Sequence, residues 1–238
     1  MTVLGIIGSG ALGTAIARLA VAAGIDVVLS NSRGPESLRE LVAELGDGAS
    51  ATTPAEAAVS GDIVVVSVPL TAVDDLPVDA LAGKTVLDTT NYYPFRDGRV
   101  SAPDDEEVTE GECVQACLGT ARVVKAFSSI LAHHIPQLAR PAGAPDRTAL
   151  PIAGDDPAAK EQAIALIERI GFDVVDAGPL SEAWRFEPES TAYTRLYLAD
   201  PDTPGERMLE ALAGPVPVAE LSAALAAVHR VRVADREF

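Results

Sequence analysis

The chain has 238 residues, 48% of them apolar and only 4% aromatic, enough for an aliphatic core in one large α/β domain, or in one domain plus a small second lobe. With 35 acids against 18 bases the formal charge is −17. That balance counts against nucleic acid and acidic membrane surfaces as partners, since both demand a basic footprint.

The chain alternates short apolar runs with Ala- and Leu-rich stretches, and runs without period-2 alternation read as strands buried on both faces. The first run, 3–7, leads directly into Gly8-Ser9-Gly10-Ala11-Leu12-Gly13 and a helical stretch at 11–23, with Leu12, Ala15, Ile16 and Leu19 at helical spacing. In a GxGxxG between strand and helix, the first glycine makes the tight turn and the second lets backbone approach a pyrophosphate. The third allows close helix–strand packing, while the helix N-terminus faces the anion.

A second strand at 26–29 ends in Ser30-Asn31-Ser32-Arg33-Gly34-Pro35. An NAD site would carry an acid here, about 20 residues past the glycines, for the ribose 2′-hydroxyl. None is present. Arg33 can pair with a 2′-phosphate and Ser32 can donate to it, so the loop points to NADP. Helical stretches follow at 37–45 and 54–60, the second introduced by Thr52-Thr53-Pro54.

Three further strands, 62–68, 85–88 and 122–127, end in Val68-Pro69-Leu70, Thr89-Thr90-Asn91 and Lys125-Ala126-Phe127-Ser128-Ser129. In a parallel sheet ligands lie outside the carboxyl ends of strands, so these segments are expected to border the nicotinamide. Asn91 and the Ser128 and Ser129 hydroxyls can hydrogen-bond its carboxamide or a second ligand, and Phe127 reads equally as core or as cofactor contact. Residues 140–146 break the composition. Beyond them come a strand at 150–153, a helix at 157–170 closed by Gly171, a strand at 173–176 and a terminal helix at 218–228. The expected architecture is a Rossmann-type doubly wound parallel sheet. Residues 1–145 form the dinucleotide-binding domain, and residues 146–238 a smaller C-terminal α/β lobe.

Cys113 and Cys117 are too few to frame this chain with disulfides, and a CxxxC without nearby histidines is a poor metal site. Free, partly buried thiols in a reduced compartment are expected. His133 and His134, being adjacent, are expected to diverge rather than clasp one metal, and no metal site is predicted. Lys125 reads either as a catalytic lysine or as a surface salt-bridge partner. No apolar run approaches the roughly 20 residues that span a bilayer. The segment after Met1 lacks a signal peptide's basic region, so a cytoplasmic location is expected. No residue stands out as catalytic. Dehydrogenation of an alcohol calls for a proton relay, whereas hydride exchange between two cofactors needs mainly their juxtaposition.

These segments resemble the NADP oxidoreductases dependent on coenzyme F420, an 8-hydroxy-5-deazaflavin carrier. The resemblance lies in Gly5-Ile-Ile-Gly-Ser-Gly-Ala-Leu-Gly13, Val28-Leu-Ser-Asn-Ser-Arg-Gly-Pro35 and Val123-Val-Lys-Ala-Phe-Ser-Ser-Ile130. It continues through Pro151-Ile-Ala-Gly-Asp-Asp156 and Val175-Asp-Ala-Gly-Pro-Leu180, covering about residues 3–195. It implies reversible hydride transfer between NADPH and the deazaflavin, with the Gly8–Gly13 turn on the pyrophosphate and Ser32 and Arg33 on the 2′-phosphate. Pro69 and Asn91 would lie near the nicotinamide, and residues 128–131 would border the deazaflavin in a homodimer. The chain departs from the archaeal pattern at residues 91–98 and 183–188, which bears on the second substrate rather than on NADP. Other readings are an NADPH-dependent reductase of another acceptor (a flavin, a ferric chelate, a small carbonyl or imine) and a non-catalytic NADP-binding redox sensor. The deazaflavin is polyanionic, so Arg96, Arg99 and Arg185 are candidates to offset the −17 charge.

Overall fold

The computed structural model describes residues 2–100, 108–233 and 236. The first half runs β1 (Val3–Ile7), α1 (Ala11–Ala22), β2 (Asp26–Ser30), α2 (Arg39–Leu45), β3 (Ala49–Ala51), α3 (Pro54–Ser60), β4 (Ile63–Val66) and β5 (Thr85–Asp88). Then follow α4 (Glu110–Leu118), β6 (Arg122–Lys125), β7 (Ala149–Gly154), α5 (Pro157–Arg169), β8 (Asp173–Asp176) and α6 (Val218–Ala227). Shorter helical turns fill the connections.

The strands form one eight-stranded sheet in the order β3-β2-β1-β4-β5-β6-β7-β8. Every neighbouring pair is parallel except β6 and β7. This is a Rossmann-type α/β fold. The chain winds outward from β1 through β2 to β3, then crosses back to β4 on the other side of β1. The order therefore reverses between β1 and β4, where a crevice opens at the strands' carboxyl ends.

The core forms because the central strands bury both faces. On β4, Ile63 and Val65 join one apolar layer with Leu4, Ile6 and α1, while Val64 and Val66 join the other with Ile7 and α3. Val64, Val65 and Val66 are fully buried, and each side chain contributes roughly 1.5–3 kcal/mol of transfer free energy. Helix starts are locally encoded. Thr53 accepts from the Glu56 amide at 3.3 Å while the Glu56 carboxylate accepts from the Thr53 amide at 3.2 Å, a reciprocal cap. Thr109 and Glu112 repeat the device at the start of α4.

Several details differ from the sequence expectation, among them α4 (Glu110–Leu118), a helix that was not expected between the strands at 85–88 and 122–127. The edge strand β3 is a three-residue segment, too short to show a pattern. β4 ends at Val66 rather than at residue 68. β6 ends at Lys125, because Phe127 adopts φ 59°, a left-handed turn that no strand tolerates. The loop at 140–146 then reverses the chain, so β7 extends the same sheet antiparallel to β6. No helix among the described residues is long and apolar enough to cross a membrane.

Candidate functional site

At the mouth of the crevice the three motif glycines play separate parts. Gly8 has φ 105°, and a Cβ there would sit 2.1 Å from the Ser67 carbonyl oxygen. A Cβ at Gly13 would sit 2.0 Å from the Gly8 carbonyl oxygen, so α1 can approach β1 only without one. Gly10 is different. Its backbone, φ −75° and ψ −168°, suits any residue, and a Cβ there would meet nothing within 4 Å. Its missing side chain keeps open the space in front of α1. No side chain caps α1 and no acid occupies its first turn, so its positive end is available to an anion.

A cavity of about 390 Å³ joins this turn to the ends of β2 and β4, walled by Gly8, Ser9, Gly10, Asn31, Ser32, Arg33, Val68 and Pro69 among others. Asn31 shapes the β2 loop: its Oδ1 accepts from the Arg33 amide at 2.9 Å and its Nδ2 donates to Ser37 Oγ at 3.0 Å. Among the described residues the exposed Arg33 guanidinium makes no ion pair with any carboxylate. The last residue of β2, Ser30, is buried and donates its hydroxyl to the Ile6 carbonyl at 3.0 Å.

A second cavity, about 660 Å³, shares Gly10, Val68 and Pro69 with the first and continues over Ala11, Leu12, Thr89, Thr90, Asn91 and Arg96. Asn91 Nδ2 donates to the Ser128 carbonyl at 2.8 Å. Asn91 Oδ1 and Ser128 Oγ are buried and have no partner among the described residues, a deficit that a ligand donor could relieve. The Arg96 guanidinium pairs with Asp97 and donates to the Asn91 carbonyl at 2.7 Å.

Behind this second cavity lies a buried charge cluster that sequence reasoning missed. Lys125 is fully buried, 3.1 Å from Asp88 and 3.6 Å from Glu110. Glu110 pairs with Arg236 at 2.6 Å, and Arg236 also reaches Glu187 at 2.9 Å. Burial works against the Lys125 ammonium, but Asp88 and Glu110 raise it on balance. Burial and the Glu187 carboxylate push Glu110 up to about 7 despite its two cations. Lys125 is thus neither a surface residue nor a cavity wall. The only signal for the cluster was a lysine closing an otherwise apolar strand. Glu110 reads as an ordinary first-turn acid, and its contact with Arg236 spans 126 residues.

The predicted site residues divide. Gly8, Ser9, Gly10, Ala11, Leu12, Asn31, Ser32, Arg33, Val68, Pro69 and Asn91 line the two joined cavities. Gly13, Leu70, Ala126 and Phe127 are packed in the interior; the Phe127 ring meets Phe172 edge-on at 6.1 Å, which makes it core. Ser128 presents its carbonyl to Asn91. Ser67, Thr71, Ala72, Asp75, Leu76 and Pro54, unanticipated, complete the walls. His133 and His134 do not diverge: both Nε2 atoms lie within 3.1 Å of the Ala211 carbonyl. A tight turn rather than a helix or strand carries them there. Arg185 pairs with Glu182 at 2.6 Å and stands over Trp184. Cys113 is partly buried and Cys117 exposed, both free.

An open, glycine-lined crevice at the reversal point of a Rossmann sheet is the geometry of a dinucleotide-binding site. The comparisons narrow the class. The family described as NADP oxidoreductase, coenzyme F420-dependent, matches residues 3–92. A hypothetical protein from Sinorhizobium meliloti, SMa0349, is 30% identical over 77% of this chain and 88% of its own, with a TM-score of 0.68. The chain belongs to this family of NADP oxidoreductases. An Arthrobacter sp. FB24 structure, named as a candidate F420-dependent NADP-reductase, shares the fold at 23% identity and a TM-score of 0.63, covering 77% of this chain and 87% of that one. The Escherichia coli K12 protein YjhV is 40% identical over 53 residues, 22% of this chain and 39% of YjhV, so the match spans about two fifths of that relative.

Proposed function

We propose that this protein transfers hydride between NADPH and a second redox ring, with the deazaflavin coenzyme F420 as the partner that the family description suggests. One observation carries the reading. The cavity kept open by Gly10 runs from an unopposed arginine, Arg33, to a second cavity with a buried, unsatisfied amide oxygen on Asn91. The groups present fit NADPH. The α1 terminus and the Gly8–Gly10 backbone would hold the pyrophosphate, and Ser32 and Arg33 the 2′-phosphate. Asn91 Oδ1 would accept from the carboxamide.

When bound, NADPH supplies the hydride. The protein's contribution is placement: it holds two rings along one crevice and excludes water between them. No general acid or base is needed. The carboxylate nearest the second cavity, Asp97, is already paired with Arg96. Within this reading, residues 1–145 bind the nucleotide, residues 146–238 complete the second-substrate side, and the protein acts as a homodimer.

The test is anaerobic NADPH oxidation by the purified protein against a panel of coenzyme F420, FMN and ferric chelates, with NADH as a parallel donor. Turnover of F420 with NADPH, and little with NADH, is expected. Turnover only with FMN or a ferric chelate would replace the acceptor. NADPH binding without turnover of any acceptor would turn the reading into a redox sensor. Equal use of NADH would remove the role given to Arg33.

A further inference from the structure

The loop that carries Asn91 is held in an unusual way: three successive backbone carbonyls each accept from a different cation. Lys125 Nζ donates to the Thr90 carbonyl and, at 3.1 Å, to Thr90 Oγ1. Arg96 Nη2 donates to the Asn91 carbonyl at 2.7 Å. Arg236 Nη1 donates to the Tyr92 carbonyl at 2.8 Å. Lys125 and Arg236 are buried, and the Glu110 carboxylate lies against both. Glu110 is itself anchored, because its amide donates to Glu187 Oε1 at 2.8 Å. Asp88 completes the frame by accepting from the Thr90 amide at 2.8 Å.

An ordinary loop of this length would satisfy its carbonyls with water. Here residues 90–92 are fixed from behind by charge-assisted hydrogen bonds, which are shorter and stronger than neutral ones. Building such a frame costs desolvation of five charged side chains, and a hydrophobic core would do as well for stability alone. What the frame supplies is geometry: Asn91 lines the cavity on a backbone held from behind at three successive carbonyls.

We propose that Lys125 and Arg236 are positioning residues that hold the 90–92 backbone and thereby aim Asn91 at the nicotinamide. This rests on the reading of the crevice given above. It makes Arg236, remote in sequence and outside both cavities, a determinant of how the nicotinamide half of the cofactor is held. The phosphate half, at Gly10 and Arg33, owes nothing to it.

The experiment uses the full chain and two ligands: NADPH, and adenosine 2′,5′-bisphosphate, which has the 2′-phosphate but no nicotinamide. Affinities are measured for the wild type, Arg236→Lys and Arg236→Met, with a thermal melt of each to establish that it is folded. Arg236→Lys keeps the buried positive charge but cannot span Glu110, Glu187 and Tyr92 together, so it remains testable if Arg236→Met does not fold. The expected result is unchanged affinity for the bisphosphate in both. NADPH affinity should fall about tenfold in Arg236→Met, with Arg236→Lys between it and the wild type. A merely structural residue would lower the melting temperature without moving the ratio of the two affinities. Folded variants that keep the wild-type ratio would overturn the positioning role and leave the crevice reading standing. A wild-type protein that binds neither ligand would overturn both.

Discussion

At the Gly10 end of the crevice the walls are mostly main chain and uncharged side chains, with Asp75 as the acid among them, and Arg33 is exposed and unpaired with any described carboxylate. At the Asn91 end the walls stand on Asp88, Lys125, Glu110, Glu187 and Arg236, all buried. Within the proposed reading the first end would take a polyanion on the uncapped terminus of α1, so binding and folding would be nearly separate properties there. The second end ties the site to the stability of the whole domain. Removing the charge of Lys125 or Arg236 would leave a carboxylate uncompensated in the interior. The difference teaches that one crevice can combine an end built of backbone and uncharged side chains with an end framed from behind by buried charges.

The largest effect should come from cutting the frame. Lys125→Met leaves Asp88 and Glu110 without their common cation, and should cost about 3–5 kcal/mol in urea unfolding. A wild-type midpoint would erase the contrast between the two ends. The complementary change is Gly10→Val, whose added atoms enter open space. It should melt like the wild type yet lose NADPH affinity by on the order of a hundredfold, about 2.7 kcal/mol. A folded variant with intact NADPH affinity would take Gly10 out of the cradle.

Arg33→Ala sharpens the same end. It should weaken NADPH binding by roughly 1.5–3 kcal/mol and leave NADH almost untouched, as isothermal titration would read. Equal losses for both cofactors would show that Arg33 does not meet the 2′-phosphate. At the framed end, Glu110 adds a dependence on pH. Its folded value, about 7, lies above its ordinary 4.5. The protonated form is therefore favoured by folding, and the stability it contributes is complete below 4.5 and lost as pH rises through about 7. Melting temperatures across that window should decline in the wild type and flatten in Glu110→Gln; parallel curves would dismiss the effect. The smallest change concerns neither end. Cys113→Ser/Cys117→Ser should shift stability by no more than about 0.5 kcal/mol and leave turnover alone, and a larger loss would give the thiols a role.

Much of the first region was legible because it is local. GxGxxG between strand and helix and the absence of an acid after β2 each lie within a few residues of what they determine, whereas β4 stops at Val66, ahead of Pro69. The same locality exposed the alternation of strands and helices and the Thr53 start of α3, whereas α4 and its Thr109 cap were not anticipated. Phe127 stayed ambiguous between core and ligand contact, because its positive φ and its meeting with Phe172 depend on residues 45 positions apart.

Sequence by itself determined that this chain would form a doubly wound sheet with a tight glycine turn between its first strand and helix, because strand and helix periods and glycine sterics act over short stretches of chain. Only the tertiary structure decided that β7 would join antiparallel and that two adjacent histidines would converge on Ala211. It alone brought Lys125, Glu110, Glu187 and Arg236 together behind Asn91. Charges are not patterned along a chain as apolar residues are. Whether a lysine ends in water or within 4 Å of two carboxylates is settled by which distant segments pack against it, and that is a property of the folded whole.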